Sequence, residues 1–200
     1  MGTLHIAFLI GAFALTSSVA DAQTSVRVRG TITAFDGNVL SVKSREGKEL
    51  KIALAERVTV TTVRALELSD IKPGTGIGTT AVKRADGALV ARGVQVFAAD
   101  RGVPNEGHRP WDLEPGSTMT NAAVSTVVQS AEGREMTLSY KGGSQILIVP
   151  EGVPIVTAAP GDRSMLTPGE YVLLTAETGA DGGMITQRIQ VSKDGVRPPQ

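Results

Sequence analysis

A nearly fixed spacing constrains this chain more than any single motif in it. Pro73-Gly74 recurs as Pro168-Gly169, Asp86-Gly87 as Asp181-Gly182, and Gln95-Val96 as Gln190-Val191, each at an offset of 95. Ile32 matches Val127 and Val58 matches Val153 at the same offset, while Val42–Leu138 and Ile52–Ile148 stand at 96. One residue is thus inserted and later lost. An offset held from Ile32 to Val191 implies two copies of one unit.

Within the first copy, Val26, Val28, Ile32 and Ala34 alternate with Arg27, Arg29, Thr31 and Thr33. Period two predicts a strand with one buried face. Asp36-Gly37-Asn38 supplies a turn, because Gly and Asn tolerate positive φ. Strands are expected over Val39–Ser44, Leu50–Leu54, Val58–Val63, Ile77–Val82 and Leu89–Phe97, with a short helical segment at Arg64–Asp70. The second copy repeats this as Ala123–Val128, Glu135–Tyr140, Ser144–Val149, Pro154–Thr157, Tyr171–Glu177 and Met184–Val191.

The expected fold class is mostly β. Five to six short meandering strands per copy favour closure into a small OB-like barrel, which removes exposed edges; a flattened sandwich is the alternative. Neither copy alone carries a large core, and the chain has no Cys to staple one. The two tandem barrels should therefore pack together. The organisation read from the sequence is a signal peptide at 1–22, a first barrel at 23–98, a connector at 99–121, a second barrel at 122–192 and a flexible tail at 193–200.

The leader rests on the apolar run Ile6–Leu15 followed by Ala20-Asp21-Ala22, an A-x-A cleavage site that leaves Gln23 at the new N-terminus. Retention as an uncleaved anchor is the other reading, although the run is short of the roughly 20 residues a span needs. No later segment is long and apolar enough to cross a bilayer as a helix. The mature protein is expected to be periplasmic or secreted.

Chemistry concentrates in the connector, at Glu106-Gly-His-Arg-Pro-Trp-Asp-Leu-Glu114, which holds the only Trp and the only His beyond the leader. His108, Arg109, Trp111 and Asp112 are the candidate binding surface, in a cleft between the copies. Trp111 is either a buried plug or an exposed contact. Glu106, His108 and Asp112 offer an imidazole and carboxylates for zinc or manganese, but without an H-x-H or H-E-x-x-H spacing. A hydrolase would need His108 as base with Asp112 and Ser117, and there is no G-x-S-x-G. Gly74–Gly78 lacks the strand, helix and Lys of a phosphate loop. Few aromatics and balanced charge, 20 Lys and Arg against 20 Asp and Glu, argue against nucleic acid. Residues 26–98 carry 12 basic against 7 acidic side chains and residues 123–192 carry 4 against 7, so the copies differ in sign. Such opposite charge suits either mutual docking or ordinary solvated faces.

The run "GTITAFDGNVLSVKSREGKELKI", with "LSDIKPG" and "ADGALVARGVQV", resembles a family of exported bacterial domains of unknown function. That family opens on G-x-V-x-x-x-D-G-x-x-L-x-V and continues through D-L-K-x-G-D-x-V. The resemblance covers residues 28–97 and, more loosely, 123–191. Glu106–Asn121, Pro160–Gly169 and Lys193–Pro199 are similar to a two-copy alphaproteobacterial form. Thr75 replaces the acidic residue after Pro-Gly, whereas Glu170 retains it. The resemblance implies small OB-like barrels and export, and brings no catalytic residues. The metal-transporter permease label attached to some of that group does not suit a chain without several spans. Together these readings point to a non-enzymatic binding or accessory protein of the cell envelope, without cofactor, whose partner is an envelope protein or a small ligand. Metal handling through Glu106, His108 and Asp112 is the alternative.

Overall fold

The computed structural model describes residues 24–130 and 133–199. The expected leader lies outside them. The chain is mostly β: twelve strands join one sheet, and the only helical pieces among the described residues are three single 3-10 turns. The strands are β1 (Thr24–Phe35), β2 (Val39–Ser44), β3 (Glu49–Ala65), β4 (Gly76–Lys83), β5 (Leu89–Val96), β6 (Gly107–Pro110), β7 (Ser117–Ser130), β8 (Gly133–Tyr140), β9 (Gly143–Val149), β10 (Ile155–Pro160), β11 (Tyr171–Thr178) and β12 (Met184–Val191).

Pairing runs in two closed circuits. In the first, β1 pairs β2, β2 pairs β3, β3 pairs β12 in parallel, β12 pairs β11, and β11 returns to β1. In the second, β4 pairs β5, β5 pairs β9 in parallel, β9 pairs β8, β8 pairs β7, and β7 returns to β4. Each circuit joins three strands from one half of the chain to a hairpin from the other. An arrangement in which residues 23–98 and 122–192 each close on themselves is therefore not the one observed.

The exchange follows from β3 and β10. Two separate strands were expected at Leu50–Leu54 and Val58–Val63, but β3 runs straight through both. It leaves the first circuit and pairs antiparallel with β10 through Thr61↔Pro160, Val63↔Ala158 and Ala65↔Val156. The expected helix at Arg64–Asp70 shrinks to the 3-10 turn Leu68–Asp70, and the chain then enters β4 in the second circuit. After β10, the turn Arg163–Met165 returns the chain to β11 in the first circuit.

Both cores reflect this crossing. Val28, Ile32, Leu40, Val42 and Ile52 pack with Leu166, Val172, Leu174, Ile189 and Val191. Ile71, Ile77, Leu89 and Val94 pack with Val124, Met136, Leu138, Leu147 and Ile155. Each fully buried aliphatic side chain contributes about 1.5–3 kcal/mol, so each core depends on side chains from both halves.

Pairing also refines the correspondence between the halves. Ile189↔Val60, where β12 meets β3, matches Val94↔Ile155, where β5 meets β10, both parallel and both at an offset of 95. Met184↔Ile52 likewise matches Leu89↔Leu147, so Ile52 corresponds to Leu147 rather than Ile148. Ile32 corresponds to Val124 rather than Val127, because each residue precedes a β-bulge and pairs with Val42 or Leu138. The β7–β8 hairpin is longer, and that length hides the match in the sequence. The bulge after Ile32 reverses the alternation, so Phe35 packs on the core while Ala34 is exposed.

Residues 193–199 are not a loose tail. Lys193 and Val196 form a bridge, Pro198 is buried, and Pro199 lies on Gly93, where an added Cβ would approach it to 2.4 Å.

Expressed alone, residues 24–98 supply β1 to β5, which belong to two different circuits. This fragment is expected to stay unfolded as a monomer, or to pair with a second copy, and to fold when mixed with residues 99–199. Size-exclusion chromatography with circular dichroism checks this. A monomeric fragment that melts cooperatively contradicts the exchange.

Candidate functional site

The connector leaves β5, makes the 3-10 turn Ala99–Arg101, and adds β6 to the edge of β7 through His108↔Thr120 and Arg109↔Met119. Beyond β6 the chain reverses in a tight loop. Trp111 N–H donates to Ser117 O at 2.8 Å, and Ser117 N–H donates to Glu114 O at 3.0 Å. Ser117 Oγ accepts from Glu114 N–H at 3.2 Å and donates to Trp111 O at 3.1 Å. Gly116 takes φ 76°, a left-handed conformation that glycine adopts without strain. Trp111 and Asp112 are therefore presented from a braced turn.

Four arginines from the body grip this turn. Arg27 and Arg29 on β1 donate to Asp112 Oδ1 at 2.7 and 2.8 Å. Arg45, in the turn after β2, donates to the carbonyls of Asp112 and Leu113 at 3.0 and 2.9 Å. Arg92 on β5 pairs with Glu114 at 2.6 Å. The Arg27 guanidinium also lies 3.8 Å from the Trp111 ring centroid, with Arg109 at 5.4 Å on the same ring. Since β6 pairs with β7, the connector ties the second circuit to the first. Opposite charge on the two halves does not act directly here; Arg27, Arg29 and Arg92 pair instead with connector carboxylates.

Arg29 is the critical member. Its side chain is only 4% exposed, and its Nε, like Trp111 Nε1, has no partner among the described residues. A guanidinium so buried requires a counter-charge. Partial burial raises the Asp112 pKa, but hydrogen bonds from Arg29 and Arg27 and their charges outweigh it and bring the carboxyl down to about 2.

The other candidates separate. His108 Nδ1 lies 2.8 Å from Thr120 Oγ1, and its ring stacks on Tyr140 at 6.4 Å. Burial lowers the His108 pKa, and the Lys83 charge lowers it further, so both disfavour the imidazolium. Glu106 accepts from Lys141 N–H at 2.8 Å. Glu106, His108 and Asp112 thus face three different partners, and no group of three metal-binding side chains exists among the described residues. The spacing that suggested a metal site fails because Glu106 turns to the Lys141 N–H, His108 to Thr120, and the turn after β6 carries Asp112 to the arginines of β1. The His108–Asp112–Ser117 set fails likewise: Ser117 braces the turn and His108 bonds Thr120.

Trp111 is neither plug nor fully exposed. It is half-buried and lines a groove of about 610 Å³ with Arg27, Arg101, Arg188, Gln95 and Gln190. Of His108, Arg109, Trp111 and Asp112, the structure brings Arg109, Trp111 and Asp112 to one locus through Arg27 and turns His108 towards Tyr140. Sequence reasoning missed Arg27, Arg29, Arg45, Arg101 and Arg188. The available signal was Arg27 and Arg29 at alternate positions of β1, on the face opposite Val28.

Comparison with protein-family models, with curated proteins and with solved structures finds no match for the chain. No helix among the described residues is long and apolar enough to cross a membrane.

Asp112→Asn keeps the turn's shape but leaves Arg29 without a counter-charge. Losing a buried pair costs several kcal/mol; because Asp112 is 50% exposed, screening reduces this to about 1–2 kcal/mol. The melting temperature at pH 7 should fall by roughly 2–8 °C. A depressed carboxyl pKa stabilises above the unfolded value and loses that effect as pH falls through the folded one. The gap between parent and variant should therefore close between about pH 4 and pH 2, as scanning calorimetry across that range checks.

Proposed function

We propose that the protein is an exported, non-enzymatic binding or accessory protein of the bacterial cell envelope, whose partner is an envelope protein or a small ligand. Its body is read as two OB-like β-barrels from a duplicated unit, with their last hairpins exchanged. Support for that reading is the closure of both circuits and the matched parallel pairings at an offset of 95. The leader 1–22 and the resemblance to exported two-copy domains support the compartment.

One observation carries the binding role. The connector is longer than a link from β5 to β7 requires, and it is braced to present Trp111 at the rim of a groove, with Arg109 over its ring. Trp and Arg are the residue types that most often anchor interfaces. His108, Ser117 and the acidic residues are each committed to structural bonds, which favours binding over catalysis.

Mature protein immobilised and challenged with envelope extract should retain a defined component. Trp111→Ala and Arg109→Ala should reduce retention roughly tenfold, as for anchor residues, while Trp111→Phe, which keeps an apolar ring, should lose less. Retention that ignores both alanine variants rules out this surface. N-terminal sequencing of the protein recovered from the periplasm is expected to begin at Gln23.

A further inference from the structure

We propose that the groove over β3 and β12 binds an extended acidic peptide segment, held between Arg101 and Arg188 and bounded by Trp111. This rests on the binding role proposed above and names the ligand class for that site.

The groove floor is an outward sheet face. Val28, Leu174, Ile189 and Val60 point into the core, so their chain neighbours project outward. Register lays these in rows: Arg29 beside Leu173, Leu173 beside Gln190, Gln190 beside Thr61, and Thr61 beside Pro160. Arg188 stands beside Thr59. The two ends of the connector form the rims, with Arg101 on one and Trp111 on the other. A second hollow of about 890 Å³ continues past Arg101 and Arg188 along Thr157–Gly161. The two hollows share Thr59, Thr61, Gln95, Arg101, Ala158 and Arg188 in their walls, and so continuous a surface suits a chain better than a compact ion.

Its charge is one-sided. Arg27, Arg101 and Arg188 line the groove and, among the described residues, no carboxylate does; Asp100 lines the adjoining hollow. Arg27 is already engaged by Asp112 and Trp111. Arg101 and Arg188 are exposed, and neither side chain has an ion pair or hydrogen bond among the described residues. Gln95, Gln190 and Thr59 likewise have no side-chain hydrogen bond there. Side-chain amides both donate and accept, as peptide groups do, so the floor complements a peptide backbone while the arginines complement its carboxylates.

The other half shows what such a surface accepts. At the offset of 95, Arg188 corresponds to Gly93, a match fixed by the flanking pairs Ile189↔Val60 and Val94↔Ile155. Over Gly93 lies the chain's own C-terminal segment, with Pro199 so close that a Cβ at position 93 would clash at 2.4 Å. One half thus seats a polypeptide at this position. The other half leaves the position open and puts an arginine there.

A fluorescein-labelled peptide of alternating glutamate and proline tests this by anisotropy against the mature protein at low and physiological salt. Trp111, the only tryptophan, provides an intrinsic second readout. Saturable binding with a change in Trp111 emission is expected. Arg101→Gln with Arg188→Gln should weaken it roughly tenfold, whereas Arg134→Gln on β8, and a lysine–proline peptide, serve as controls for general charge. Both groove arginines are exposed, and unchanged melting curves verify the fold. Absence of binding, equal weakening by Arg134→Gln, or binding of polygalacturonate without binding of the peptide overturns the proposal. If the peptide fails while capture from extract still depends on Arg109 and Trp111, the ligand class falls and the binding role stands. If both fail, both fall.

Discussion

The parallel pairing of β12 on β3, and of β5 on β9, is the constraint on which the rest of the structure depends. Three-stranded meanders such as β1–β2–β3 end in unpaired backbone donors and acceptors, which invite association with other chains. Each meander here is closed by a hairpin that comes from the opposite half. Closure therefore satisfies both edges only if both halves fold. The crossing strands enforce the arrangement, since β3 and β10 pair symmetrically about Val63 and Ala158. Neither core is complete without side chains carried across that crossing, as Leu166 and Ile71 show.

With the hairpins exchanged, the connector acquires a particular meaning. It joins β5 to β7, and both strands belong to the second circuit. A short link would suffice, yet the chain between them reaches across to β1 and to Arg45 of the first circuit. The excess length acts as a strap. Its attachment is electrostatic rather than apolar: Asp112 lies between Arg27 and a buried Arg29, with Trp111 laid on Arg27. Such a strap is firm at neutral pH, because the ionised Asp112 carboxylate is shared by Arg27 and Arg29, and it fixes where Trp111 stands relative to the groove.

Much of the strand pattern was legible because period two and Gly-containing turns are local signals. Tyr171–Glu177 and Met184–Val191 match β11 and β12 closely, and so does Val39–Ser44 with β2. Partner choice was not legible. A meander closes equally well on its own hairpin or on the other copy's, and nothing local in Val58–Val63 announces that β3 continues through the boundary. Bulges were also silent: an unpaired residue beside Ile32 has no side-chain signature, so plain alternation places Ala34 on the buried face, where the structure instead packs Phe35. In the site, sequence proximity misled for Glu106, His108 and Asp112, because each is claimed by a different distant partner, Lys141, Thr120 and the β1 arginines, that spacing along the chain does not reveal. It succeeded for Trp111 and Arg109 only because β6 ends between them and the turn folds Trp111 back towards β1.

The two halves are most informative where they differ. Gln95 and Gln190 correspond and both line the groove, so the shared architecture keeps polar groups near the crossing. Gly93 and Arg188 correspond and do opposite things. Glycine at 93 removes the side chain that would block Pro199, and the chain covers that face with its own end. Arginine at 188 gives the matching face, which no described residue covers, a positive charge, reinforced by Arg101 from the strap. A scaffold that only needed stability would gain by covering both faces, since each covered face adds apolar burial. The face beside the sole tryptophan stays open and basic, with Arg101 and Arg188 exposed and unpaired among the described residues, and this asymmetry is the physical ground for the partner proposed there.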